Sequence, residues 1–196
     1  MDHFCRLLVQ TKSNVVEWFP ADMDESYLAS IQTYIHELRP ALQPTDRVTV
    51  HDPLPLTLDS TGIRQASTRE SLLAKGGFDM VMSINMIHIA PWSATVGLFR
   101  TAQEILQQES GRLVLYGPFF FTDAPAIPSN VEFDASLRGR NPGWGIRTVE
   151  SIVQVAQEHG LELLEDAPRK SAGIVPMPAN NHMLIFRKVD TSQNMS

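Results

Sequence analysis

Residues 78–92 read Phe-Asp-Met-Val-Met-Ser-Ile-Asn-Met-Ile-His-Ile-Ala-Pro-Trp. The run from Phe78 to Ile84 is continuously apolar with one early acid, which is typical of a strand buried inside a parallel sheet. Asn85 and His88 follow directly, where open α/β sheets bind their ligands. This stretch therefore predicts an α/β fold and the position of a site.

Strand and helix patterns alternate on both sides of this stretch. Apolar runs predict strands, and apolar residues recurring every three to four positions predict helices. The expected fold is a doubly wound, mostly parallel α/β sheet that ends in an antiparallel pair. The predicted strands are 15–20, 54–58, 78–84, 113–116, 161–164 and 183–186, and the predicted helices begin at Asp24, Ser67, Ser93 or Thr95, and Thr148.

Length and charge exclude several classes. The chain has 196 residues with a net charge of −6, and it predicts one domain over 1–189 with a frayed tail over 190–196. The acidic balance argues against nucleic-acid binding. No apolar run is long enough for a membrane span, and the N-terminus does not resemble a signal peptide. The lone Cys5, expected in a core, favours a reducing, cytoplasmic setting.

Two acidic residues follow predicted strands. Asp22 is placed to accept hydrogen bonds from the two hydroxyls of a ribose, or else to cap a helix. Asp59 is placed to accept from the amine of an adenine, or else to stabilise its own Leu-Asp-Ser-Thr turn. Both interpretations stay open for each residue.

His88 and Trp92 are the other candidates near the central strand. His88 is placed to take a proton at neutral pH, although a structural histidine that holds the turn is favoured by spacing alone. Trp92 is expected either to form the wall of an adenine or substrate site or to pack in the core. The six histidines form no i,i+4 pair and have no second cysteine to help, so we expect no metal site.

Six short segments recur in an order that is typical of one family. They are Asn85–Trp92, Gly97–Arg100, Leu115–Phe119, Ser129–Asp134, Arg140–Arg147 and Pro178–Asn181. Together they resemble the methyltransferase-like twenty-six family, a branch of the class I S-adenosylmethionine-dependent methyltransferases. The resemblance runs from about Trp18 to Arg187 and implies a Rossmann-like sheet with a C-terminal antiparallel strand.

The resemblance also implies site roles. S-Adenosylmethionine would be the cofactor, with Asp22 at its ribose and Asp59 at its adenine edge. Asn85 and Met86 would line the place where the methyl group meets its acceptor, and His88 would be the base. The acceptor walls would be Trp92, Tyr116, Phe119, Asn130 and Phe133.

One departure from the class I pattern concerns glycine. Class I enzymes place a glycine-rich loop after their first strand, where the backbone closely approaches the cofactor. This chain has no glycine before Gly62. Counting back roughly 20 residues from Asp22 puts the loop at or before Met1, so we expect the first strand and its loop to be missing.

Three functions remain open. The first is a methyltransferase acting on a small molecule, with secondary metabolite biosynthesis as the expected setting. The second is a cofactor-independent enzyme of the same fold that catalyses a rearrangement or cyclisation. The third is a non-catalytic subunit whose sheet is completed by a partner chain or a second copy.

Overall fold

The computed structural model describes residues 16–41, 48–164 and 173–189. The chain divides into two compact units, Met1–Thr57 and Leu58–Ser196, and each is described by itself. Two predictions lie outside the described residues: the core position of Cys5 and the frayed tail over 190–196.

The first unit is built on short parallel strand pairs and one helix. Strand β1 pairs with β3, and β2 pairs with β4. The Asp24 side chain accepts a hydrogen bond from the Ser26 backbone N–H at 2.8 Å, which confirms the predicted cap. Ile35 is buried against Val50. The elements are β1 (Val16–Trp18), β2 (Ala21–Asp22), α1 (Glu25–Leu38), a 3-10 turn (Arg39–Ala41), β3 (Val48–Val50) and β4 (Leu54–Pro55).

The second unit carries the remaining helices and strands. In chain order they are β5 (Leu58–Asp59), β6 (Gly62–Ile63), α2 (Ala66–Leu73), β7 (Met80–Ile84), a 3-10 turn (Ile87–Ile89), α3 (Trp92–Ile105), β8 (Arg112–Gly117), α4 (Pro128–Arg140), α5 (Val149–Glu158), β9 (Leu161–Leu163), β10 (Ile174–Met177) and β11 (Asn181–Lys188).

The main sheet of this unit is mixed, with the order β10-β11-β8-β7 and β9 also paired to β11. Strands β7 and β8 are parallel, so both end at the same edge of the sheet. The antiparallel pair of β9 and β11 confirms a prediction. Met80 and Ile84 of β7 are exposed, although their pattern predicts a buried strand. In the described sheet β7 is the outermost strand, so its side chains have strand neighbours on one side only.

The core of this unit lies between the sheet and the helices α3 and α5. Phe99 and Phe186 are both fully buried and meet edge to face with ring centroids 5.3 Å apart. Gly97 lets α3 approach β5, because a Cβ atom at this position would overlap the Asp59 carbonyl oxygen. The predicted cap of α5 is confirmed, since Thr148 accepts from the Ser151 backbone N–H at 3.2 Å.

Two predicted helix starts are wrong. Helix α2 is capped by Gln65, one residue before Ala66, and this cap has no side-chain hydrogen bond. The Ser67–Glu70 spacing of a capping box therefore lies inside the helix. Helix α3 begins at Trp92 after Pro91, ahead of the expected caps at Ser93 or Thr95, because proline already fixes an extended residue before the first turn.

Helix α4 and strand β10 are among the elements that the sequence did not predict, as are the short strands β3 and β6. Helix α4 buries only Asn130 and Leu137, so it has no apolar stripe, and the proline at its first position is its main sequence signal. Strand β10 contains Pro176, a residue that argues against a strand unless the strand lies at a sheet edge. Strand β10 is such an edge strand.

Candidate functional site

A cavity of about 550 Å³ opens at the carboxyl ends of β7 and β8 in the second unit. This volume suits a drug-sized molecule. The other walls come from the first turns of α4 and from the turn between β10 and β11. We call it the amide cavity, because four of its side chains are asparagines. Its lining is Asn85, His88, Ile89, Pro118, Ser129, Asn130, Phe133, Ala179, Asn180 and Asn181.

Asn85 turns the chain at the end of β7. Its φ of 55° is left-handed, a conformation that asparagine tolerates better than most residues. Its backbone N–H donates to the Tyr116 carbonyl at 2.8 Å, so the turn stays fixed to β8. A Cβ atom on Gly117 would lie 3.5 Å from Asn85 Oδ1 and 3.4 Å from His88 Nδ1. A side chain at position 117 would therefore occupy the space beside both residues.

His88 lies in the 3-10 turn after Asn85 and is only 7% exposed. Its ring stands edge-on to Phe133 at 5.6 Å. Within the described part of the chain, neither ring nitrogen has a hydrogen-bond partner. Burial lowers the pKa of His88, and the positive charge of Arg147 lowers it further. The imidazole is therefore held neutral and is able to accept a proton from a molecule in the cavity.

The loop 141–147 is hydrogen-bonded to the turn that carries His88. Gly145 N–H donates to the His88 carbonyl at 3.0 Å, and Arg147 Nη2 donates to the Ala90 carbonyl at 3.1 Å. Asp134 of α4 fixes this loop by accepting from the Ile146 N–H at 2.7 Å. The loop thus fixes the backbone at His88 and brings the positive charge of Arg147 near its ring.

The turn between β10 and β11 closes the far side of the cavity. Ala179 and Asn180 both have left-handed φ values, 58° and 59°, as in the primed turns that join hairpin strands. For alanine this conformation is strained. Asn180 Nδ2 donates to Ser129 Oγ at 3.2 Å, and Asn130 Nδ2 donates to the Asn180 carbonyl at 3.5 Å. These contacts connect the strained turn to α4, and strain of this kind is often found at binding sites.

Four of the predicted site residues meet in the amide cavity. They come from two separate parts of the chain, the end of β7 and the first turns of α4. They are Asn85, His88, Asn130 and Phe133.

The other predicted site residues do not line this cavity. Met86 and Trp92 pack against the core, where Trp92 also stacks under the Arg147 guanidinium at 5.5 Å. Phe119 is a buried core residue, and Tyr116 lies within β8. Their site roles stay predictions.

The two predicted acidic residues each bond within their own turn. Asp59 Oδ1 accepts from the Thr61 backbone N–H at 2.8 Å and from its hydroxyl at 2.6 Å. The hydroxyl bond first, and then the backbone bond, lower the pKa of Asp59, so it stays ionised. Asp22, in the first unit, accepts from the Asp24 backbone N–H at 3.0 Å. Asp59 thus stabilises its own turn, which was the alternative interpretation of this residue. The cofactor roles of Asp22 and Asp59 stay predictions.

Sequence reasoning missed the turn residues Ala179, Asn180 and Asn181 as site residues. The Pro-Ala-Asn-Asn run between two apolar stretches is a hairpin-turn signal that was available to find the turn. It does not by itself tell which other part of the chain the turn contacts.

Acidification is expected to destabilise the fold through the buried His88 and the partly buried His182. Burial lowers the pKa of both His88 and His182 below the ordinary value of 6.5. The unfolded chain therefore binds more protons than the folded one in mild acid, so the free energy of unfolding falls from neutral pH to about pH 5. Denaturant unfolding at several pH values measures this slope. His88→Gln should reduce the slope, whereas the exposed control His36→Gln should retain it; an unchanged slope in His88→Gln contradicts the assignment.

None of the helices in 16–41, 48–164 and 173–189 is long and apolar enough to cross a bilayer. The same stretches contain no group of three or more His, Cys, Asp or Glu side chains arranged to hold a metal ion.

Solved structures share this fold at low sequence identity. A structure described as a pericyclic reaction enzyme matches with a TM-score of 0.62 and 15% identity, over 95% of this chain and 40% of its own. PigF with SAH matches with a TM-score of 0.61 and 12% identity, over 95% and 47% of the two chains. An O-methyltransferase family 2 protein from Planctomyces limnophilus DSM 3776, in complex with apigenin, matches with a TM-score of 0.58 and 14% identity, over 88% and 43%.

The chain spans less than half the length of each of these structures. At such identities the likeness shows the fold alone, and the predicted Rossmann-like α/β fold of the methyltransferases is confirmed. A family model described as "Protein of unknown function (DUF938)" matches residues 3–188. Because this match covers nearly the whole sequence, the chain belongs to the DUF938 family.

Proposed function

We propose that this protein transfers a methyl group from S-adenosylmethionine to a small molecule of secondary metabolism. The observation that carries the proposal is His88: a buried, neutral imidazole whose ring nitrogens have no described partner, at the wall of a ligand-sized cavity. The cavity lies at the carboxyl end of parallel strands, where this fold class binds its ligands. The likeness to an O-methyltransferase structure also supports methyl transfer as the reaction.

Two residues of the second unit offer groups that would suit the cofactor. Asp59 is an ionised carboxylate that bonds within its turn through Oδ1, and its Oδ2 lies 3.5 Å from Arg64 Nε. Such a carboxylate suits an adenine amine. Asn85 offers an amide beside Gly117, where a larger side chain would fill the space. When bound, S-adenosylmethionine supplies a methyl group on a sulfonium. Asp22 belongs to the first unit, and its ribose role stays a prediction.

His88 would act on the acceptor in two ways. Its neutral ring would accept the proton of an acceptor hydroxyl as that oxygen becomes a nucleophile. The buried turn would also exclude water from the reacting oxygen, and the backbone bond from Gly145 to the His88 carbonyl would keep the ring in position. Phe133 and Ile89 offer apolar surface for the body of the acceptor.

A second candidate is a rearrangement or cyclisation without methyl transfer. This candidate is supported by the likeness to the structure of a pericyclic reaction enzyme, which matches with a TM-score of 0.62. Product mass separates the two candidates, because methyl transfer adds one methylene and a rearrangement adds nothing.

The test incubates the purified chain with S-adenosylmethionine and a panel of hydroxylated aromatic compounds. We expect S-adenosylhomocysteine and a methylated product, both detected by mass spectrometry. Calorimetry that gives no heat with millimolar S-adenosylmethionine on folded protein would overturn the proposal. Size-exclusion chromatography with light scattering on the same sample tests the remaining possibility of a partner subunit, which a cooperatively melting monomer would contradict.

A further inference from the structure

The lining of the amide cavity is uncharged, and it combines polar side chains with the apolar Ile89, Pro118, Phe133 and Ala179. It contains four asparagines, one serine and one histidine, and no Asp, Glu, Lys or Arg. Charged neighbours are engaged elsewhere. Asp134 pairs with Arg138 Nε at 2.7 Å, and Arg147 donates to the carbonyls of Ala90 and Gly143. An ionic ligand would lose its hydration in this cavity without gaining an opposite charge from the lining.

Asn130 is the most buried of the asparagines and is 7% exposed. Within the described residues, its side chain makes one hydrogen bond, from Nδ2 to the Asn180 carbonyl at 3.5 Å, the outer limit for such a bond. A carboxamide carries two donor hydrogens and one acceptor oxygen. One hydrogen and the oxygen of Asn130 thus remain for a ligand that both donates and accepts.

Phe133 and Ile89 make the cavity suited to a ring. Phe133 is 38% exposed and Ile89 is 44% exposed, and both line the cavity beside Pro118. The rings of His88 and Phe133 lie 5.6 Å apart with their planes at 65°, and both contribute aromatic surface to the wall.

We propose that the amide cavity selects a flat, uncharged ring bearing hydrogen-bonding groups, and that Asn130 recognises those groups. As an acceptor class for the site, this rests on the proposed function. The selectivity of the cavity is nevertheless measured by binding alone, without cofactor or turnover.

Three probes of matched size test the selectivity on the full chain by NMR titration: para-hydroxybenzamide, para-hydroxybenzoate and para-hydroxybenzylamine. They differ in charge at one substituent. We expect the neutral amide to bind about tenfold or more tightly than either ion, since an unpaired charge in the lining costs affinity. Binding of the benzoate as tight as that of the benzamide, or no binding by any probe at millimolar concentration, would overturn the proposal.

Asn130→Asp places a charge at the recognising position with almost no change in shape. We expect the order of the probes to change, so that the cationic benzylamine binds more tightly than the neutral amide. Asn141→Asp is the matched control, because Asn141 ends the same helix outside the cavity and its oxygen accepts from the Gly143 N–H at 2.9 Å, as a carboxylate would. An order that stays the same in folded Asn130→Asp contradicts the assignment.

A second variant keeps the test open if Asn130→Asp does not fold. Gly117→Val places methyl groups against Asn85 and His88, two residues that line the cavity, without adding charge. Binding of para-hydroxybenzamide should therefore be lost, and retained binding in the folded variant would refute the cavity as the site. These experiments distinguish a failure of the selectivity from a failure of the proposed function. The expected order of probes with no S-adenosylhomocysteine from any acceptor refutes methyl transfer only, and turnover of an anionic acceptor with equal binding of all probes refutes the selectivity only.

Discussion

Gly97→Ala is expected to destabilise the protein by about 3 kcal/mol, a large part of the roughly 5–15 kcal/mol that typically stabilises a domain. The new Cβ atom would overlap the Asp59 carbonyl oxygen and lie 2.9 Å from the carbonyl carbon. Backbone atoms cannot rotate away as a flexible side chain can, so α3 and β5 would have to separate. Since Leu98 and Phe99 follow on the same helix and are buried in the core, that separation would disturb the core as well.

Denaturant unfolding of Gly97→Ala and of Gly139→Ala measures this effect with a matched control. Gly139 lies in α4, and a Cβ atom there would meet nothing within 4 Å. The same substitution should therefore stabilise the protein by about 0.5–1 kcal/mol, because alanine loses less backbone entropy than glycine in a helix. A Gly97→Ala protein that unfolds at the wild-type denaturant concentration would refute the close packing of α3 on β5.

His88→Gln is expected to slow methyl transfer to a hydroxyl acceptor by about a hundredfold to ten-thousandfold, the usual contribution of a general base. Glutamine keeps a hydrogen-bonding side chain of similar length but does not accept a proton at neutral pH. The loss should appear in kcat more than in KM, since the walls of the cavity stay in place.

The rate of S-adenosylhomocysteine formation, measured with whichever acceptor the wild-type protein methylates, checks this result. His36→Gln, at an exposed position of α1, controls for the loss of an imidazole elsewhere. The rate should also fall in acid as His88 takes up a proton, with a midpoint below the ordinary histidine value of 6.5. If His88→Gln retains the wild-type kcat, then His88 is not the base.

Much of the fold was predictable because its signals are local. Asp24 and Thr148 each bond to a backbone N–H two or three residues away, so their helix starts could be recognised from the sequence. The capping-box spacing of Ser67 and Glu70 was misleading, because the same pattern is compatible with the interior of a helix that starts one residue earlier. Helix α4 was missed because its contacts rest on Asn130, Asp134 and Leu137 rather than on an apolar stripe.

The candidate site was predictable in part for the same reason. Asn85 and His88 follow a recognisable strand, and the sheet rule places such residues near a ligand. No local pattern indicates that the Gly145 N–H, which lies in a loop far along the chain, donates to the His88 carbonyl. The sequence also left open whether Trp92 forms a site wall, and in the structure Trp92 packs against the core.

The sequence by itself determined the alternation of strands and helices, the Rossmann-like fold and the position of Asn85 and His88 at a strand end. Only the tertiary structure decided that these residues face Asn130 and the Ala179–Asn180 turn. The physical reason is the range of the interactions. Helix caps and strand ends depend on neighbours a few residues away, whereas the bonds that close the cavity join residues 50 and 51 positions apart, and their formation depends on how the whole unit packs.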